Sequence, residues 1–512
     1  MKTALLSVSD QTGIVELALG LCELGYRIVS SGGTASALKQ AEIIVTEVPA
    51  LTGAPELLGG RVRLLHPKLF AGILADVKDA KHVRDLDQND IPAFDLVAVN
   101  LYPLSEVLKS NLPQEDALDF LDVAGSALLR AAARNFPRVV TLCDPKDYPG
   151  VLETLREGEV SRERRRALAA KAFYAVSYYD STIAQFLSTG AELLGEEMVV
   201  ALKKAADFPY GENPHQRGAL YTLSGARPWG LTAATLVHGR APNFNHYLGM
   251  DLACDIVGEF QDRAACAIVR HSNPAGVAAA DHPGEAARLA YRADPAGCTG
   301  GVAAFNRPVD EDAAKALASE HLECIVAPDF SRQALELLRP KKDLRLVSLP
   351  SLLLFPEEID FKSVAGGLLV QDKDLLTSPA ERRPATRRRP NDLEAAALDL
   401  AWKVAKHTLT HAAVIARGPV TLGIAGGQTA RRDAVKLALA KSSERHPIVA
   451  PELPMVLASD GPLGPAHVKE AAAAGISALI QPGGSPEDRD TVALCDEHGL
   501  AMLFTGVRHY RH

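Results

Sequence analysis

Two segments near the start of this 512-residue chain carry a pattern suited to holding a phosphate. Ser7-Val8-Ser9-Asp10-Gln11-Thr12-Gly13 and Ser30-Ser31-Gly32-Gly33-Thr34 each lead from an apolar stretch, through small polar residues, into a helical pattern. Backbone N–H groups at a helix N-terminus point outward with partial positive charge, which suits an anion. Glycine lets the main chain approach a ligand, and the hydroxyls add donors. Ser and Thr at such places also serve as ordinary N-caps. Two loops on adjacent strand ends favour a ligand, because α/β sheets bind in that crevice. A third segment, Gly59 to Pro67, contains Arg61 and Arg63. In extended backbone both guanidiniums fall on one side, as a clamp for phosphate or carboxylate. The plainer alternative is a surface turn with solvated charges.

The second half offers acid/base chemistry. Arg270-His271-Ser272-Asn273-Pro274 follows an apolar run, Ala265–Val269. A histidine and a cation at a strand end, before a proline turn, are well placed to move protons. The tail Arg508-His509-Tyr510-Arg511-His512 is cationic and follows closely on the apolar strand Ala501–Phe504, which should hold it down.

These residues need elements to position them. Ala4–Val8, Tyr26–Ser30, Ile43–Val48, Leu96–Asn100 and Val139–Cys143 read as strands, with helices over Gly13–Leu24, Thr34–Gln40 and Ala127–Arg134. Such alternation implies a parallel, doubly wound sheet. Residues 161–187 read as one helix whose basic cluster, Arg162–Arg166, is expected to be a solvated face. A boundary is expected near residues 190–205. Beyond it, one α/β unit is built round Ala265–Val277 and another round Ala412–Gly427, an arrangement open to internal duplication. The Pro/Arg-rich stretch Ser378–Asn391 reads as a surface linker between them. The last unit runs through strand Ala478–Gln481, the Gly483-Gly484 loop and helix Glu487–His498.

Bulk properties narrow the class. With 47% hydrophobic and 23% charged residues the chain is globular, and its length asks for two or three domains. A net charge of -8 argues against a general nucleic-acid or anionic-membrane surface. The N-terminus lacks a signal-peptide pattern and no apolar run is long enough to span a membrane. Seven scattered cysteines, with no C-x-x-C, suit reduced thiols in a cytoplasm and argue against structural zinc. Cys266 and Cys324 are expected in the core.

Taken together, SVSDQTG, SSGGTA, LTGAPELLGGRV with LHP, NLYPL, LLRAAARN, PYGENPHQ, RHSNPAGVA, FNRPVD, SVAGGLLVQDKD, QPGGS and DEHGLAMLFTGVRHYRH resemble the bifunctional AICAR transformylase/IMP cyclohydrolase family of purine biosynthesis. The stretches run in order from residue 7 to the C-terminus. The resemblance implies an α/β protein: a methylglyoxal-synthase-like, doubly wound domain over residues 1–195, and a domain of two cytidine-deaminase-like α/β units over residues 200–512, with the linker at about 378–391. The first would close formyl-AICAR to IMP with loss of water. The second would move a formyl group from 10-formyltetrahydrofolate, a cosubstrate, to the 5-amino group of AICAR. No tightly bound cofactor and no metal is implied. The implied assembly is a homodimer, working on small molecules in the cytoplasm without nucleic acid or membrane.

Position by position, the resemblance implies a cyclohydrolase pocket of Ser9, Asp10, Gln11, Ser31, Gly32, Gly33, Thr34, Arg61, Arg63, Leu64 and Asn100, with Tyr102, Asp122 and Arg134 catalytic. It implies a transformylase pocket of Tyr210, Gly300, Glu323, His411, Arg431, Arg508 and His512, with His271 as catalytic base beside Arg270. Asp460, Gly483 and Gly484 would contact the folate. Several positions depart from the family pattern. Gln11, Arg63 and Arg134 stand where the family has lysine, and Leu64 where it has threonine. Pro209 replaces an arginine, Arg270 a lysine, His246 and His411 asparagines, Gly249 an acidic residue and Thr299 a phenylalanine. Ser459-Asp460-Gly461-Pro462-Leu463-Gly464-Pro465 lacks the aromatic residues of the family's folate motif, which removes apolar stacking surface. The departures leave open two alternatives: an enzyme with only the cyclohydrolase active, and a catalytically silent nucleotide-binding protein.

Overall fold

A computed structural model describes residues 2–512 except 56, 61, 63, 105–106, 108–113, 189–193, 225–228, 353–358, 377–381 and 445–448. The chain forms two compact units: Met1–Lys203 with Tyr221–Arg227, and Lys204–Leu220 with Pro228–His512.

The first unit holds a parallel five-stranded sheet in the order Val45–Glu47, Tyr26–Ser30, Lys2–Val8, Leu96–Asn100, Val140–Leu142. Reversal of strand order on either side of Lys2–Val8 opens a crevice at the strand ends, where the first loops lie. Alternate residues of Lys2–Val8 enter separate cores: Ala4, Leu6 and Val8 on one face, Leu5 on the other. Both faces are therefore covered, which is why the strands read as continuous apolar runs. The expected strand over Ile43–Val48 is shorter. It ends at Glu47, because Pro49 sits in the first turn of a helix spanning Val48–Thr52, where its fixed φ and missing N–H do no harm. The long helix is Arg162–Leu187, capped by the Ser161 hydroxyl. Its basic cluster is not wholly solvated: the half-buried Arg165 donates to the Phe136 and Val160 carbonyls.

The second unit is organised by one twelve-stranded sheet. From its centre outward, one half runs Asn273–Ala280, Ala264–Arg270, Gly301–Phe305, Leu322–Ala327, Arg345–Ser348, Thr235–His238. The other runs Val420–Ala425, Ala413–Arg417, Met455–Ser459, Ile476–Gln481, Ala501–Phe504, Arg383–Pro384. Both halves show the same succession of antiparallel and parallel pairings, and they meet antiparallel at Ala278 and Val420. Even the irregularity repeats. A register shift falls between Pro274 and Gly276 in one hairpin, and between Ile415 and Ala416, opposite Thr421–Gly423, in the other. The duplication is therefore written into the backbone. Side chains alternate between two cores, with Cys266 and Ile268 on one face and Ala265, Ala267 and Val269 on the other. Cys266 and Cys324 are both buried.

Two expectations need correcting here. Pro274 is no turn residue; it lies within the strand Asn273–Ala280, on which the hairpin closes one residue pair earlier. The stretch Ser378–Asn391 is not merely a surface linker. Residues 378–381 lie outside the described set, but Arg383–Pro384 forms the outermost strand of the sheet. Thr386 is buried, and its hydroxyl accepts from the Met502 N–H. Arg388 binds the buried Glu394 through both terminal nitrogens at 2.8 Å.

Candidate active sites

In the first unit, the two small-residue loops meet at the strand ends. Asn100 clamps the Ser9–Gln11 loop: its Oδ1 accepts from the N–H groups of Ser9 at 2.6 Å and Asp10 at 2.8 Å, and its Nδ2 donates to the Asp10 carbonyl. Its amide is thereby committed to loop shape. The Thr34 hydroxyl is likewise committed, exchanging hydrogen bonds with the Val8 N–H and carbonyl at 2.9 and 3.0 Å. Ser31 differs. It is the N-cap of the helix Gly32–Gln40, yet its hydroxyl caps nothing and is buried without a partner. An orphaned hydroxyl beside the outward N–H groups of Gly32 and Gly33 is a ready anion cradle. The Gln11 amide lies 3.5 Å from where a Cβ on Gly33 would stand, so both loops face one space. Asp10 accepts from Thr12, whose hydroxyl and N–H hold its carboxyl below the usual range. The loop itself is thus negative, and helix N–H groups must supply the attraction for an anion.

Asp122 caps the helix Val123–Arg134, accepting from the Gly125 N–H at 2.7 Å, and Arg134 is exposed in its last turn. Twelve residues of α-helix separate the two by about 18 Å. The two side chains therefore start from opposite ends of one helix. Tyr102 is 39% exposed and rests on the Phe120 ring at 5.5 Å, which leaves its hydroxyl free to reach a ligand. Leu64 corrects another expectation: it is buried in a core with Leu5 and Leu69. A leucine in place of a hydroxyl residue has gone inward with the apolar side chains. Arg61 and Arg63 lie outside the described residues.

In the second unit, the hairpin Ala264–Ala280 turns on His271 and Ser272 with φ of 50° and 56°. Two successive left-handed residues form the tight turn that matches strand twist, but Asn-Gly is its usual occupant. For non-glycine residues that backbone costs roughly 1–2 kcal/mol each, so surroundings must enforce it. The turn presents His271 exposed, with Arg270 beside it. Beside Arg270 lie Gly300 and Glu323, and Glu323 leads on to His246. A Cβ on Gly300 would stand 3.8 Å from Glu323 Oε1 and 3.9 Å from Arg270 Nη2. His246, buried, shares a hydrogen bond of 2.9 Å with Glu323 Oε2 through Nε2, and its Nδ1 accepts from the Asn243 N–H. Burial, and then the charge of Arg345, push its pKa down despite Glu323. Asn243 also donates to the Tyr210 hydroxyl at 3.0 Å. These residues form one continuous polar wall.

A second cluster comes from the other half of the sheet. Arg431 donates to Ser459 Oγ at 2.7 Å, to Asp460 Oδ1 and to His411 Nδ1 at 2.6 Å, and reaches the Tyr510 hydroxyl at 3.3 Å. Burial and the neighbouring Arg431 cation lower the His411 pKa, so His411 is neutral and accepts from Arg431. The Arg508 guanidinium lies 4.5 Å from the Tyr510 ring centroid, and His512 is exposed. Asp460 is fully buried behind Arg431, which corrects the expectation that it touches a cosubstrate: it orients the arginine. The Gly483-Gly484 loop is left-handed at both glycines, and the Gly484 N–H is taken up by Asp488 Oδ2 at 2.7 Å. That N–H is spent within the loop, and Phe504 lies 3.1 Å from a Cβ placed on Gly483.

Three residues escaped the motif reading. Glu259, Lys406 and His407 form a buried ion cluster, with Glu259 Oε1 2.7 Å from Lys406 Nζ and 2.9 Å from His407 Nε2. Burial alone would raise the Glu259 carboxyl, but His407 and Lys406 leave it lowered. Glu259 and the Lys406-His407 pair close corresponding helices, so helix-end position was the one available signal. The tail is anchored as expected: His509 is buried and its Nδ1 shares a 2.6 Å hydrogen bond with Asp374 Oδ2. Among the described residues, no three His, Cys, Asp or Glu side chains are grouped to hold a metal ion, and no helix is long and apolar enough to cross a membrane.

Comparison with known proteins agrees with this architecture. The family model described as AICARFT/IMPCHase bienzyme matches residues 132–441, and the MGS-like domain matches residues 13–126. The bifunctional purine biosynthesis protein PurH of Persephonella marina is 42% identical over 520 residues, covering 100% of both chains. That of Aquifex aeolicus is 42% identical over 516 residues, covering 99% of this chain and 100% of its own. That of Caldicellulosiruptor saccharolyticus is 41% identical over 519 residues, again covering 100% of both. A solved structure titled "Crystal structure of ForH" aligns with 36% of this chain and 98% of its own at 38% identity, with a TM-score of 0.32. An MGS-like α/β unit followed by a duplicated α/β unit, matched end to end by these relatives, makes the chain a member of the AICARFT/IMPCHase bienzyme family.

Proposed function

We propose that the chain catalyses both reactions of that family: formyl transfer from 10-formyltetrahydrofolate to AICAR, then closure of formyl-AICAR to IMP. The observation that carries this reading is the full-length match to relatives named as bifunctional purine biosynthesis proteins, together with a strained turn that exposes His271. Residues 1–195 carry the cyclohydrolase and residues 200–512 the transformylase. The working form is a homodimer in the cytoplasm.

In formyl transfer the 5-amino nitrogen of AICAR attacks the formyl carbon. His271 takes the proton that this nitrogen must lose, N10 of the folate leaves with a proton, and a new C–N bond replaces the old one. Arg270 and Arg431 hold negative charge nearby, and Tyr210, Glu323 and His246 shape the wall. A positioned base of this kind contributes about 10²–10⁴-fold. Ring closure then joins the carboxamide nitrogen to the formyl carbon with loss of water, and being intramolecular it gains chiefly from proximity. Ser31, Gly32 and Gly33 receive the phosphate, with Arg61 and Arg63 adding charge. Arg134 is a guanidinium, which suits holding charge better than shuttling protons. Tyr102 and Asp122 complete that pocket.

The test is direct. Purified protein is given AICAR with 10-formyltetrahydrofolate and, separately, formyl-AICAR, while tetrahydrofolate and IMP are followed. Both products are expected. IMP from formyl-AICAR without any formyl transfer would leave a cyclohydrolase alone, and neither product would overturn the reading.

A further inference from the structure

We propose that Arg511 is a positioning residue for formyl transfer, holding the His271–Ser272 turn in its left-handed shape. This rests on the reading of His271 as the base of that reaction. Four observations support it. The Arg511 guanidinium donates to the His407 carbonyl at 3.1 Å and reaches the Ser272 carbonyl at 3.5 Å, so a single cation bridges the catalytic turn and the end of the helix Asp392–Lys406. Its own carbonyl accepts from the Thr410 N–H at 2.9 Å, which fixes the backbone from which the side chain extends. Behind it lies a cavity of about 710 Å³ whose walls include Asp251, Asp255 and Asp360. Burial lowers the Arg511 pKa from its ordinary value, and the charges of Asp255, Asp251 and Asp360 partly oppose that. The turn, by contrast, has little support of its own. Asn273 Nδ2 donates to the His271 carbonyl at 3.2 Å, while its buried Oδ1 finds no partner. Two left-handed non-glycine residues persist where the surroundings over-determine them, and Arg511 is the cation that contacts this turn from outside its own strand pair.

The same contact joins the two halves of the sheet. The turn belongs to one half, and both His407 and the C-terminal tail belong to the other. Both contacts come from one terminal nitrogen, Nη1, whose two N–H groups are held at fixed angles by the planar guanidinium, whereas a lysine ammonium rotates freely on its stem.

The test compares Arg511→Ala and Arg511→Lys with the parent in the intact chain. A shift of the base by about 1 Å can cost on the order of 10²-fold. Arg511→Ala should therefore lower kcat for formyl transfer by roughly that factor while KM for AICAR changes little, and Arg511→Lys should recover only part of it. Ring closure of formyl-AICAR serves as the folding control and should be unchanged. Hydrogen exchange of the peptide containing Ser272 and Asn273 should quicken in Arg511→Ala, a readout independent of any activity. Unchanged exchange at the turn, or a parental kcat in Arg511→Ala, would overturn the proposal. If the parent itself transfers no formyl group, the functional reading fails, and exchange at the turn still decides whether Arg511 holds it.

Discussion

The two hairpins at the heart of the second unit are the same structure twice, and they differ where chemistry would sit. After Arg270 the chain turns on His271 and Ser272, both left-handed; after Arg417 it turns on Gly418 and Pro419, with only the glycine left-handed. Glycine adopts that backbone without steric cost, whereas serine and histidine do not. One copy therefore has a relaxed turn and the other keeps a strained one. Strain of this kind clusters at functional sites, which accords with the role proposed for His271. The neighbours point the same way: Arg417 is buried beside Met455, while Arg270 is exposed next to Gly300 and Glu323.

This contrast can be broken at several points. The largest effect belongs to His271→Ala. Formyl transfer should fall by about 10²–10⁴-fold with ring closure intact, as read by parallel assays of tetrahydrofolate and IMP. Loss of both activities in a folded variant would contradict two separate sites. Next come the paired glycines. A Cβ on Gly276 would collide with the Ala290 carbonyl, and one on Gly423 with the Ala438 carbonyl. Each alanine substitution should destabilise the second unit by about 3 kcal/mol or more, and by similar amounts. A large inequality in urea midpoints would show that the copies are not packed alike.

Gly418→Ala should cost less, about 1–2 kcal/mol from backbone strain, added to a contact with Leu453. Ser272→Gly should do the reverse and raise the melting temperature. If Ser272→Gly destabilised the protein, the turn would not be strained.

The smallest effect is a pH contrast at the third helical position of corresponding helices. Both helices begin with an asparagine cap closed by that third residue, His246 in one and Glu394 in the other. Burial and Arg345 hold the His246 pKa below its ordinary 6.5. The folded state thus resists protonation, and stability present above pH 6.5 falls as pH drops below it. Burial would raise Glu394, but the hydrogen bonds from Arg388 leave it below its ordinary 4.5. Its contribution is complete above pH 4.5 and is lost only as pH falls through the lower folded value. Hydrogen exchange in Phe244–Gly258 should therefore quicken between pH 7 and 5.5 while that in Asp392–Lys406 stays steady. His246→Gln should abolish the difference, and its persistence would assign the acid sensitivity elsewhere.

Much of this protein was legible in its residues. Apolar runs of four to six residues separated by amphipathic helices revealed the α/β class and the five strands of the first sheet, because doubly covered strands have no polar face to confuse the period. Gly301–Phe305, Leu322–Ala327, Arg345–Ser348 and Met455–Ser459 of the large sheet went unread. The fold family was readable from ordered motifs along the chain. Local pattern failed where local rules compete. Pro49 starts a helix that a β-branched run had suggested would be strand, and Pro274 sits in a strand although proline usually marks a turn. The site was only partly legible. Composition identified His271, Arg270 and the Ser31–Gly33 loop as chemically apt. It gave no sign that Thr34, Asn100 and Asp460 would be consumed in holding loops and an arginine, that Leu64 would turn inward, or that Asp122 and Arg134 would lie at opposite ends of one helix.

The sequence by itself determined which residues can carry charge, move a proton or adopt a left-handed turn, since those follow from side-chain chemistry and backbone sterics. The tertiary structure alone decided which of them are free to act. Arg511 shows why: a cation near the C-terminus reaches a turn some 240 residues earlier only because two duplicated halves share one sheet. Partnership across such a distance depends on how the chain closes on itself, and no local pattern records it.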